Sequence, residues 1–125
     1  MRMQILIADD AAFMRMRLKK VLEEAGYEVV EAANGVEAVN LYDAHQPAAV
    51  LMDITMPEMD GVAATQAICQ KDPEARVIMV SALGQQAMVV SAIQAGAKDF
   101  IVKPYEPDRV LQALAKWAKS PSSKA

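Results

Sequence analysis

The stretch Ala48-Ala49-Val50-Leu51-Met52-Asp53 decides how the chain is read. Its apolar residues run without a break and then stop on a carboxylate. A half-buried strand would alternate, and a surface helix would space its apolar residues three and four apart. A short unbroken run bounded by a polar residue fits a strand covered on both faces.

The same signature recurs on either side. Residues 5–8 form an apolar run ending in Asp9-Asp10, and residues 27–30 read as a strand. Residues 77–80 end in Ser81, and residues 100–102 end in Lys103-Pro104. Between these runs the spacing becomes helical. Met14, Leu18, Val21, Leu22 and Ala25 make one stripe, with Gly26 as its C-cap. After an Asn34-Gly35 turn, Val36, Val39 and Tyr42 make a weaker one that stops by Pro47. A loop with Pro57 and Gly61 leads to a helix over about 62–70, closed before Pro73. Gly84 precedes a helix around 86–95 with Gly96 at its end. Pro107 opens the last helix, which carries Val110, Leu111, Leu114 and Trp117. Strand and helix alternate five times, which predicts a doubly wound parallel sheet with right-handed crossovers.

Composition agrees. The chain has 125 residues, 54% hydrophobic and 23% charged, enough for one well-cored domain and too short for two. A net charge of −3 argues against a domain built to grip nucleic acid or an anionic membrane surface. Single residues of cysteine (Cys69) and histidine (His45) make neither an internal disulfide nor a zinc site. Apolar runs are far below a membrane span, and the stretch before Asp9 is too short for a signal peptide. The expectation is a soluble, reduced, cytoplasmic domain over residues 1–119, with residues 120–125 as a frayed tail. Cys69 is expected to be a buried or half-buried small apolar group, Trp117 a packing anchor, and His45 a solvated helix-end residue.

What ends each strand carries the functional information. Asp9-Asp10 follow the first strand, Asp53 the third, Ser81 the fourth and Lys103 the fifth. In an open parallel sheet the carboxyl ends of the strands share one edge, and ligands bind there where the strand order reverses. Singly, each residue has a plain alternative: Asp10 as a helix N-cap, Asp53 or Ser81 as turn residues, Lys103 as a solvated charge. All of them at one end of one sheet is harder to obtain from turn chemistry. Three clustered carboxylates repel one another, and oxygen ligands that leave room for water suit Mg²⁺. The charges of three aspartates, a divalent ion and one lysine cancel. A site so balanced accepts a phosphoryl group, with Asp53 as nucleophile and Ser81 and Lys103 meeting phosphoryl oxygens.

With these residues in that order, the chain resembles the receiver domain of two-component response regulators over essentially its full length. The residues that carry the resemblance are Asp9-Asp10, Met52-Asp53-Ile54-Thr55-Met56-Pro57-Glu58-Met59-Asp60-Gly61, Ser81-Ala82 and Phe100-Ile101-Val102-Lys103-Pro104. Residues 7–15, 80–86 and 92–100 look more particularly like the free-standing chemotaxis regulators of that family. The resemblance implies a single flavodoxin-like domain with a five-stranded parallel sheet and five helices. It implies Asp53 as phosphoacceptor and Asp10 and Asp53 as Mg²⁺ ligands. Asp9 would act mainly through a metal-bound water, and Thr55 through its backbone carbonyl. Ser81 and Phe100 match the family's switch pair, and the Lys103-Pro104 bond would be cis. The implied donor is a phosphohistidine on a sensor histidine kinase. The implied output face is the last α-β-α surface, with a flagellar motor switch protein as partner and a phosphatase as another. Leu83 occupies the position where the family modulates phosphoryl lifetime.

Other readings are a receiver cut from a longer regulator, a phosphorelay intermediate, a flavodoxin-type electron carrier and a haloacid dehalogenase-type phosphatase. The phosphatase motif needs a second aspartate two residues after the nucleophile, where this chain has Thr55. A flavin phosphate would be opposed by Asp9-Asp10.

Overall fold

The computed structural model describes residues 2–82 and 84–119. Leu83 and the segment 120–125 lie outside it. Five strands alternate with five helices: β1 (Gln4–Ala8), α1 (Ala12–Glu24), β2 (Glu28–Ala32), α2 (Gly35–His45), β3 (Ala49–Met52), α3 (Gly61–Lys71), β4 (Val77–Ser81), α4 (Gln86–Ala95), β5 (Asp99–Val102) and α5 (Pro107–Trp117). The strands form one parallel sheet in the order β2-β1-β3-β4-β5.

Alternation within each strand sends side chains to opposite faces, and each face has its own helices. Leu6, Ala8, Val50, Met52, Val77 and Met79 join Ala38, Tyr42, Ala64, Ile68 and Ala92 of α2, α3 and α4. Ile5, Ile7, Ala49, Leu51, Ile78, Val80 and Ile101 join Leu18, Leu22, Val110, Ala113 and Leu114 of α1 and α5. The sheet therefore divides two cores, and β3, β1 after Gln4 and β4 before Ser81 are apolar because they feed both. Cys69 is half-buried against the first core and Trp117 against the second. His45 is the exposed last residue of α2.

Several local expectations are refined. Asn34 does not simply turn the chain; its side chain accepts a hydrogen bond from Glu37 N and caps α2, while Glu37 accepts from Ala33 N. In α2, Ala38 and Tyr42 are buried while Val36 is 42% exposed, so the inward stripe is smaller than its valines suggested. β2 runs on to Ala32 despite Glu31, because it is an edge strand whose outward residues meet water. Gly26 lies one residue beyond the α1 C-cap, Ala25, with φ at +96°. Gly96 is the C-cap of α4 at φ +119°, and a Cβ there would run into the Cys69 side chain.

Candidate functional site

The strand order reverses between β1 and β3, so the loops at their carboxyl ends diverge and leave a crevice. Asp9 and Asp53 open onto it from those two strands, and Asp10 stands beside Asp9. One carboxylate oxygen from each of Asp9, Asp10 and Asp53 lies within 4.8 Å of the other two. Lys103, just past β5, reaches across with its Nζ 3.1 Å from Asp9 Oδ2 and 3.7 Å from Asp53 Oδ2. Side chains from positions 9 and 103 of the chain thus meet at one rim.

Backbone geometry fixes them. Asp9 N donates to Ala32 O at 3.1 Å and Asp53 N to Ala8 O at 2.9 Å, locking both residues to neighbouring strands. Asp9 Oδ1 accepts from Ala11 N at 2.9 Å, and Asp53 Oδ1 from Ile54 N at 2.8 Å. The α1 N-cap is Ala11, with no side-chain bond, so Asp10 does not cap this helix. Asp10 is exposed, and its plain alternative role is removed.

The loop after β3 is pinned from two sides. Gly61 N donates to Ile54 O at 2.7 Å, and a Cβ on Gly61 would overlap the Asp53 carbonyl. Gly35 N donates to Met59 O at 3.1 Å, while Met56 and Met59 pack into the first core. Thr55 sits exposed within this loop, two residues after Asp53. Ser81 is a buried polar residue that ends β4. Its carbonyl accepts from Lys103 N at 2.9 Å, so the β4 and β5 ends are tied together. Phe100 lies one strand over, paired in register with Met79, half-buried against the first core together with Met88. The Lys103–Pro104 bond is cis.

Burial is the largest influence on Asp53 and pushes its carboxyl above the usual carboxylate range. Lys103 and the Ile54 amide oppose that shift, while Asp9 and Asp10 add to it. For Lys103 burial works toward neutrality, but its hydrogen bond to Asp9 and the charges of Asp53 and Asp9 outweigh it and hold the ammonium above its ordinary value. The residues therefore fit a divalent cation: three hard oxygen donors, mutually repelling, two of them withdrawn from water. Asp9 has both carboxylate oxygens engaged by protein donors, whereas Asp10 is exposed.

Residues not anticipated from the sequence complete the setting. Tyr105 and Met14 line the small cavity behind Asp9, Asp53 and Lys103. Arg15 Nη1 donates to the Asp9 carbonyl at 2.6 Å. No spacing rule placed Tyr105, Met14 or Arg15 at this rim, because each reaches it only through the way α1 and the segment after β5 settle against the strand ends.

A flavodoxin-like fold carrying this rim of acids and a lysine belongs to a defined class: residues 5–115 match the response regulator receiver domain family, and the chain is a member of it. Its class is that of two-component signalling domains, which work by phosphorylation of an aspartate and bind Mg²⁺ at an acidic pocket. Within the family the chain is similar to the chemotaxis protein CheY. It is 62% identical to CheY of Bacillus subtilis, over 90% of this chain and 95% of that protein. It is 59% identical to CheY of Thermotoga maritima, over 93% of this chain and 98% of that protein. Among solved structures, the CheX-CheY-BeF₃-Mg²⁺ complex from Borrelia burgdorferi includes a chain superposing with a TM-score of 0.87 at 40% identity, covering 94% of this chain and 90% of that one.

Proposed function

We propose that the chain is a chemotaxis signalling switch that takes a phosphoryl group from a sensor histidine kinase onto Asp53. The observation that carries this is the meeting of Asp9, Asp10, Asp53 and Lys103 at one rim. Mg²⁺, when bound, neutralises the carboxylates and the incoming phosphoryl oxygens. Asp10 and Asp53 would hold it directly, Asp9 through water, and Thr55 through its carbonyl. The Asp53 carboxylate forms the new O–P bond as the N–P bond of the phosphohistidine breaks. The departing imidazole keeps the electron pair and takes its proton from solvent. That a related chain has been crystallised in a complex with BeF₃ and Mg²⁺ supports this reading.

Ser81 and Lys103 would then hydrogen-bond the new phosphoryl oxygens. Movement of the Ser81 hydroxyl would leave room behind it for the Phe100 ring to turn inward. Carrying a population from 1:99 to 99:1 takes about 5.5 kcal/mol of differential stabilisation, within reach of a few charge-assisted bonds. The face that changes would be α4-β5-α5, where Val90, Ile93 and Val102 are exposed. Its partner would be a flagellar motor switch protein, with a phosphatase resetting the signal in the cytoplasm.

Acetyl phosphate with Mg²⁺ is expected to add one phosphoryl mass to the chain, and Asp53→Asn to abolish the addition. Normal labelling of that variant by intact-mass spectrometry would overturn the acceptor assignment. A pull-down with the BeF₃-treated chain is expected to recover a flagellar motor switch protein. Recovery of only another phosphotransfer protein would favour a relay role.

A further inference from the structure

Arg15 takes no part in the chemistry above, yet its guanidinium adds a side-chain link between the ends of β1 and β2. Its side chain is only 17% exposed. Nη1 donates to the Asp9 carbonyl at 2.6 Å, and Nε to Glu31 Oε1 at 3.2 Å. Glu31 is held in turn by Lys19, whose Nζ lies 3.6 Å from its second oxygen. The carbonyl that Arg15 grips belongs to the peptide joining Asp9 to Asp10. Orienting that peptide orients the backbone from which the Asp10 carboxylate leaves. Only a planar fork with donors at fixed angles serves both acceptors at once.

We propose that Arg15, anchored by Glu31, is a positioning residue that sets the Asp9–Asp10 peptide and so preorganises the acidic rim for a divalent cation. This rests on reading the rim as a Mg²⁺ site. Two effects of Arg15 on such a site have opposite signs. As a positive charge bonded to the Asp9 carbonyl it repels the ion, and its removal would tighten binding. As a positioning group it raises affinity, and removal of a supporting contact of this kind costs roughly ten- to a hundredfold. The short bond to the Asp9 carbonyl and the low exposure favour the second.

The test is Mg²⁺ titration by calorimetry on the unphosphorylated chain, together with the amide resonances of residues 9–11 in metal-free protein. Arg15→Ala is expected to bind Mg²⁺ about tenfold more weakly and to shift the Asp10 and Ala11 amides before any ion is added. Arg15→Lys keeps the charge but loses the fork, and is expected to be comparably weak. Glu31→Gln keeps an acceptor without its charge and is expected to lose severalfold. If Arg15→Ala does not fold, the other two variants carry the test. Tighter or unchanged Mg²⁺ binding in Arg15→Ala, or parent-like affinity in Arg15→Lys, would overturn the inference while leaving the metal site standing. Absence of Mg²⁺ uptake by the unaltered chain would sink the metal-site reading and this inference together.

Discussion

Asp9 uses every polar atom it has. Its N–H goes to Ala32, its carbonyl accepts from Arg15, and its two carboxylate oxygens accept from Ala11 N and Lys103 Nζ. Asp53 is different, because it has one amide and a lysine to oppose burial and two acidic neighbours. Its carboxyl is raised, so the folded chain binds the proton more readily than the unfolded chain does. Stability conferred by that proton is full below the ordinary carboxylate range and is lost as pH rises through the raised value. Metal-free Asp53→Asn is therefore expected to melt above the parent at neutral pH, by on the order of 1 kcal/mol or about 4 °C. The difference should vanish below about pH 4, where Asp53 is protonated in both states. Thermal melts in chelator across that range check it, and a variant less stable than the parent at pH 7 would show that the Lys103 attraction outweighs burial.

Elements are held by contacts that cross between them. Arg109 of α5 reaches back to Asp99 at the start of β5, 3.1 Å away, and also donates to Phe100 O at 3.3 Å. Burial pushes the Asp99 carboxyl up, but the Arg109 hydrogen bonds and charge and the Phe100 amide outweigh it and hold it below the usual range. The stability this pair adds is present above the ordinary carboxylate pKa and is lost as pH falls through the lowered one. Arg109 is 41% exposed, so screening keeps the contribution at roughly 0.5 kcal/mol. Urea titrations of Arg109→Ala should show that loss at pH 7 and a smaller one as pH falls through the lowered Asp99 value. The N-cap of α3 is worth more: Asp60 Oδ1 accepts from Ala63 N at 2.8 Å, and Asp60→Ala is expected to lower unfolding free energy by about 1 kcal/mol in the same titration. The three central strands and the residues that end them were readable because a run covered on both faces must be apolar and must stop where it meets solvent. Asn34 as a cap, Ala38 in place of Val36 inside, and Arg15 on the Asp9 carbonyl were not. The Asn34 cap is a local signal, three residues from the amide it meets, masked by the Asn-Gly turn pattern; the other two depend on how a helix settles against the strand ends, and a one-dimensional period carries no such distance.

For the whole molecule, an ion held at the rim would link folding to binding. A ligand that binds only the native state stabilises it by mass action, about 2.7 kcal/mol at one hundred times its dissociation constant. Saturating Mg²⁺ is therefore expected to raise the melting temperature by roughly 10 °C. In Asp10→Ala the rise should shrink or disappear at the same concentration, and an equal rise in that variant would remove Asp10 from the ligand set. The sheet keeps its two cores on opposite sides, and the acids, Ser81 and Lys103 sit at the carboxyl edge of the strands. Helix surfaces such as those bearing Val90 and Ile93 lie away from that edge. With that face as the proposed output surface, substitutions there would redraw who listens to the protein without touching the reaction that makes it speak, and a lineage could recruit new listeners while its clockwork stays the same.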